Sequence, residues 1–115
     1  MPSFADRVQA FVQLGRTLGL FADAAPWSGH GSGLTEDEYD SFDHTIRVAR
    51  QFNGWFTEDN VRHAARGLSK MLAEKAMDGW LAKYPGLKVA HAPRMVGIIM
   101  AGNIPFVGFH DLLCA

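Results

Sequence analysis

The chain has 115 residues, a single cysteine, a formal charge of −1, and apolar and charged fractions of 48% and 20%. That length allows one modest core, and the composition is that of a globular rather than a disordered chain. Interspersed acids and bases leave no basic footprint for nucleic acid, and a lone thiol excludes an internal disulfide and fits a reducing compartment.

Residues 1–86 read as a helical region of four punctuated helices. Its opening, "MPSFADRVQAF", lacks the basic and apolar blocks of a secretory signal. No apolar run approaches the ~20 residues of a spanning helix, so no membrane span is expected and the cytoplasm is the expected location.

The first helix runs from about Ser3 to Phe21. Ser3 is the expected cap, with Asp6 placed close to a capping box. Phe4, Val8, Phe11 and Leu18 recur at helical spacing and predict its apolar face. "DAAPWSGHGSG" then breaks the chain. Gly29-His30-Gly31-Ser32-Gly33 is no phosphate loop, because no strand precedes it and no lysine follows; it reads as a flexible connector.

"TEDE" predicts a second helix with Thr35 as cap and Glu38 reaching back to it, flanked by the staple pair Leu34 and Tyr39. Tyr39, Phe42, Ile46 and Ala49 share a face, and Asn53-Gly54 ends the helix. The third helix uses Thr57 as cap, Phe56 and Val61 as staple, and Glu58 and Asp59 at its positive end. Val61, Ala64, Ala65, Leu68 and Leu72 form its stripe. "RHAARGLSK" reads as a mildly basic, solvated face. A fourth helix runs from about Ala73 to Tyr84. Met77, Trp80, Leu81 and Tyr84 are expected to face inward, and Pro85-Gly86 stops it. Ala73 is a poor cap, so this helix should begin loosely. Trp55, Phe56 and Trp80 read as core and staple residues rather than a stacking platform.

Residues 87–115 change character. "LKVAHAPRMVGIIM" is rich in β-branched residues, and Val96–Met100 is a continuous apolar run. That pattern suits a strand covered on both faces. "AGN" reads as a tight turn, and Pro105 fits the first turn of a following helix. Phe106, Val107, Phe109, Leu112 and Leu113 make that helix apolar almost all round. A parallel strand needs neighbours and crossovers. The expected fold is therefore mainly α with a short C-terminal β/α unit. That unit would be a truncated piece of a larger protein, or its last helix would be covered by a partner.

The corner Ala101-Gly102-Asn103-Ile104-Pro105 is the leading candidate site. A strand end meeting a helix start is where open α/β sheets bind ligands, and helix starts suit phosphate or an oxyanion. Asn103 offers an amide donor, and Gly102 lets a ligand approach the backbone. A plain cap and a plain turn explain the same two residues.

"NGWFTEDNVRHAARGLSKML", "WLAKYP" and "VGIIMAGNIPFVGFHDLLCA", in this order, resemble the N-terminal part of acyl-CoA reductases of the LuxC type, members of the aldehyde dehydrogenase superfamily. The resemblance spans about Asn53 to Ala115. It implies an aldehyde dehydrogenase-like α/β fold, and reduction of a fatty acyl thioester to an aldehyde with NADPH through a cysteine acyl-enzyme. It further implies that Asn103 donates to the thioester oxygen. The backbone of Met100, Ala101, Gly102 and Ile104 would line the nicotinamide side of the cofactor pocket. The family's nucleophilic cysteine lies beyond residue 115, so this segment alone is expected to be inactive.

Other residues read blandly. Cys114 has apolar neighbours and is expected to be buried and inert. His110 and Asp111 are adjacent on a helix and point about 100° apart, so they do not form a pair. His30, His44, His63 and His91 lack metal-pair spacing, and no metal site is expected. The alternative function is a non-catalytic helical interaction module whose apolar C-terminal helix docks on a partner or on a second copy.

Overall fold

A computed structural model describes residues 1–89 and 92–115. Among the described residues there are five α-helices: α1 (Phe4–Ala22), α2 (Glu36–Val48), α3 (Glu58–Met71), α4 (Glu74–Leu81) and α5 (Phe109–Cys114). Single 3₁₀ turns lie at His30–Ser32, Ala49–Gln51 and Pro85–Lys88. The protein is mainly helical, and no strand forms among the described residues.

The helix starts follow the local chemistry. Ser3 and Asp6 close a complete capping box on α1, and Thr35 and Glu38 do so on α2. Thr57 caps α3 by accepting from the Asn60 N–H. At Ala73 no side chain caps α4, which is only eight residues long.

α1 and α3 pack along their lengths, and α2 and α4 close the sides. One core cluster joins Val12, Leu18 and Ala22 of α1 to Ala65, Leu72 and Met77. The other joins Phe21 to Tyr39, Ile46 and Val61. Close helix approach is possible because α1 presents Gly15 to Leu72: a Cβ there would stand 2.6 Å from the Leu72 Cβ. The buried edge of α1 is therefore centred on Val12, Gly15 and Leu18, with Phe4 and Phe11 only half-buried beside it. Phe21 and Tyr39 stack at 4.3 Å between ring centroids, and the Tyr39 hydroxyl donates to the Ala25 carbonyl at 2.7 Å.

The basic face of α3 is not merely solvated. The Arg62 side chain is 11% exposed and bonds Asp43 at 3.0 Å, Glu58 at 3.2 Å and the carbonyl of Phe21. Arg66 donates to the Ala22 carbonyl and pairs with Asp23. Both arginines thus meet the negative C-terminal end of α1, where helix carbonyls lack partners. Burial opposes the charge on Arg62, but its hydrogen bonds to Asp43 and Glu58 outweigh that and raise its pKa.

The Gly-rich loop is anchored rather than a free connector. The Thr17 hydroxyl donates to the Ser32 carbonyl at 2.6 Å, Gln13 to Gly31 at 2.9 Å, and the Trp27 indole to Leu34 at 3.0 Å.

The C-terminal part departs most from expectation. Val96–Met100 does not form a strand, and within 92–103 no residue makes a backbone–backbone hydrogen bond with another described residue. A strand is stabilised by its neighbours' ladder, and this segment has none. Positions 90 and 91, including His91, lie outside the described residues. The last helix begins at Phe109, not at Pro105. Phe106 at φ 60 and Gly108 at φ 83 lie in the left-handed region and turn the chain before it. Phe106, Phe109 and Leu113 nonetheless reach the core cluster of the helical region. Tyr84, expected inside, is exposed at the short end of α4. No helix among the described residues is long and apolar enough to cross a membrane.

Candidate functional site

The corner at 101–105 sits against the turn between α2 and α3. The Asn53 side-chain amide donates to the Gly102 carbonyl at 2.8 Å, while its oxygen accepts from the Trp55 N–H at 3.0 Å. That second bond is a local Asx turn, a conformation asparagine favours. One side chain therefore shapes its own loop and holds a residue 49 positions away.

Asn103, Ile104 and Pro105 form one wall of a shallow pocket of about 270 Å³, faced by Trp55, Asn60 and His63. Asn60 is itself fixed, since its amide donates to the Trp55 carbonyl at 3.1 Å. Trp55 is 73% exposed and supplies an indole wall instead of the core contact expected of it. The pocket thus joins an aromatic face to amide and imidazole groups, a combination able to hold a flat polar group.

Met100, Ala101, Gly102 and Ile104 are exposed. Met100 lies on Gly108, where an added Cβ would approach its side chain to 2.7 Å. Gly102 has open space on its side-chain face, so a ligand can reach the backbone there. The helix start expected beside it does not form, because Pro105–Gly108 is a turn, so the corner offers no helix-dipole site for a diphosphate. Asn103 is correspondingly not a helix cap: that position belongs to Gly108.

Asn53, Trp55, Asn60 and His63 were not legible as pocket residues. Asn53-Gly54 carries only the signal of a helix end, Trp55 reads as a core residue, His63 reads as a histidine without metal-pair spacing, and Asn60 carries no signal of its own.

Cys114 is exposed, contrary to the buried position expected. α5 turns Phe109 and Leu113 toward the core. Cys114 lies outside that contact, with its sulfur 3.8 Å from His110 Nδ1. Among the described residues no three His, Cys, Asp or Glu side chains group as metal ligands.

A second pocket, an open groove of about 450 Å³, runs beside α1. It lies between α1, the loop at Ser32–Leu34, and Phe106 and Phe109.

Comparison of the chain with family models, with curated proteins and with solved structures finds no match.

Proposed function

We propose that residues 1–115 are the N-terminal part of an acyl-CoA reductase of the LuxC type, which reduces a fatty acyl thioester to an aldehyde. The carrying observation is the "VGIIMAGNIPFVGFHD" segment. Val96, Ile99, Met100 and Ile104 are 57%, 101%, 47% and 56% exposed, as a strand lacking its sheet would be. Beside that run, Asn103 stands at an open pocket on a corner held by Asn53.

In this reading the segment at 96–100 pairs into an aldehyde dehydrogenase-like sheet in the complete enzyme. The Asn103 amide donates a hydrogen bond to the thioester oxygen as negative charge develops there. The backbone of Met100, Ala101, Gly102 and Ile104 lines one side of the cofactor pocket. NADPH, when bound, supplies the hydride. A cysteine outside these residues takes the acyl group.

Expression of the complete reading frame tests this. Acyl-CoA-dependent oxidation of NADPH is expected, and Asn103→Ala should lower turnover on the order of 10²-fold. A frame that stops after Ala115, or a longer product without this activity, would overturn the reading. Unchanged turnover in the variant removes Asn103 from the mechanism. The same exposed side chains also favour a second reading, a non-catalytic docking module. That reading requires a stable complex or oligomer burying Val96, Ile99 and Ile104.

A further inference from the structure

The cavity beside α1 has a shape and a chemistry that select its occupant. Its α1 wall extends from Ala10 through Leu14 and Leu18 to Phe21. Those eleven steps along the helix span roughly 16 Å. Spread over that length, about 450 Å³ leaves a cross-section of roughly 30 Å². That is the girth of a single polymethylene chain. An α-helix with its side chains is about 10 Å across and would rest on the opening, not enter it.

The polar groups that reach the cavity are engaged with the protein's own backbone. Thr17 donates to Ser32, Gln13 to Gly31 and Ser32 to Leu34, and the Glu38 carboxylate accepts from the Thr35 N–H. A ligand with many hydrogen-bonding groups would lose its water there without replacement. Glu38 at the rim also disfavours an occupant carrying its own negative charge at that end. The far wall is Phe106 and Phe109, which follow Asn103 by three and six residues.

The geometry points to a binding site for a linear, uncharged alkyl chain along α1, walled on its far side by Phe106 and Phe109. That this chain is the tail of the acyl thioester rests on the function proposed above. The alkyl site itself stands on the cavity.

The probe is 1-decanol, titrated into the 115-residue chain carrying labelled methyl groups. Binding should shift the methyl signals of Leu14, Leu18 and Leu34. Ala10→Trp, at an exposed position of α1, should place an indole in the cavity and weaken binding at least tenfold without changing the melting temperature. Leu14→Lys should do the same by adding a charge, and it serves if the first variant fails to fold. Decanol that shifts only Val96, Ile99 and Ile104, or binds wild type and both folded variants equally, overturns the site. In the complete enzyme, Ala10→Trp should lower kcat/KM for long acyl chains at least tenfold and leave that for butyryl thioesters unchanged. Decanol binding without reductase activity would sink the enzyme reading and keep the site. Activity with an unaltered chain-length profile would keep the enzyme reading and overturn the assignment of the acyl tail to this site.

Discussion

The Asn53 side-chain amide donates a 2.8 Å hydrogen bond to the main-chain carbonyl of Gly102, tying the turn between α2 and α3 to the corner that carries Asn103. Few other polar contacts connect residues 92–105 to the helices, so this bond sets where the corner lies. Asn53→Ala should remove about 1 kcal/mol of local stability, the usual net value of such a bond. Exchange of the Val107 and Phe109 amides, which donate to the Ile104 and Phe106 carbonyls, should quicken about fivefold, since 1.4 kcal/mol corresponds to a factor of ten. Asn53→Asp keeps the acceptor for the Trp55 N–H but loses the donor, so it should behave like the alanine variant. Unchanged exchange in both would show that apolar packing alone seats the corner.

Arg62 joins three elements through one guanidinium. Arg62→Ala leaves the Phe21 carbonyl without its side-chain partner in a largely buried place and leaves Asp43 with Arg47 alone, at 3.1 Å. The expected cost is about 2–3 kcal/mol in urea unfolding. Arg62→Lys should recover little of it, because an ammonium cannot reproduce the planar fork that meets a carboxylate and a carbonyl together.

Gly15 and Gly67 are both helical glycines, but their surroundings predict opposite signs. Gly15→Ala drives a Cβ to 2.6 Å from the Leu72 side chain and should destabilise by about 1–3 kcal/mol through overpacking. Gly67→Ala meets nothing within 4 Å and should stabilise by about 0.5–1 kcal/mol. Thermal unfolding of the two variants side by side checks the pair. A stabilised Gly15→Ala would mean that α1 and α3 stand further apart.

α1 ends in a Schellman motif with an alanine where glycine is usual. Ala24 has φ 50, and the Ala24 and Ala25 N–H groups donate to Phe21 and Leu20. Ala24→Gly should relieve the left-handed strain and stabilise by about 0.5–1 kcal/mol despite the entropy it adds to the unfolded chain. A lowered melting temperature would contradict this.

The Asp6 carboxyl accepts bonds from the Ser3 hydroxyl and backbone N–H, which hold its pKa below the ordinary 3.8. The folded group is more acidic than the unfolded one. Its contribution is therefore complete above pH 3.8 and is lost as pH falls through the lowered value. A carbon-detected titration should find the Asp6 midpoint below 3.8, and Ser3→Ala should move it back up. An unmoved midpoint would break the capping-box assignment.

The helix starts were legible because each cap is a local event. Ser3 with Asp6, Thr35 with Glu38, and Thr57 with the Asn60 N–H all meet within three residues. Hydrophobic spacing also marked Ile46, Val61, Ala65, Leu72 and Met77 as inward-facing, and all five are buried. On α1 the spacing favoured the large Phe4 and Phe11, whereas packing selected Val12 and Gly15. Helices approach over small residues, and a scale of hydrophobicity does not see that a glycine admits Leu72.

The roles of Arg62, Arg66 and Asn53 required the tertiary fold. Their partners Phe21, Ala22 and Gly102 lie 41, 44 and 49 residues away, and charge patterning within one helix cannot indicate such bonds. The same holds at Val96–Met100. Its apolar run states what the segment would bury in a sheet, but a strand exists only when neighbours supply a ladder, and none is supplied here. By itself, then, the sequence determined where helices begin and which residues are apolar, because those depend on near neighbours. Only the tertiary structure decided which glycine admits a neighbouring helix, which arginines close α1, and how a turn asparagine holds the corner at Asn103. Those outcomes depend on chain segments that meet only after folding.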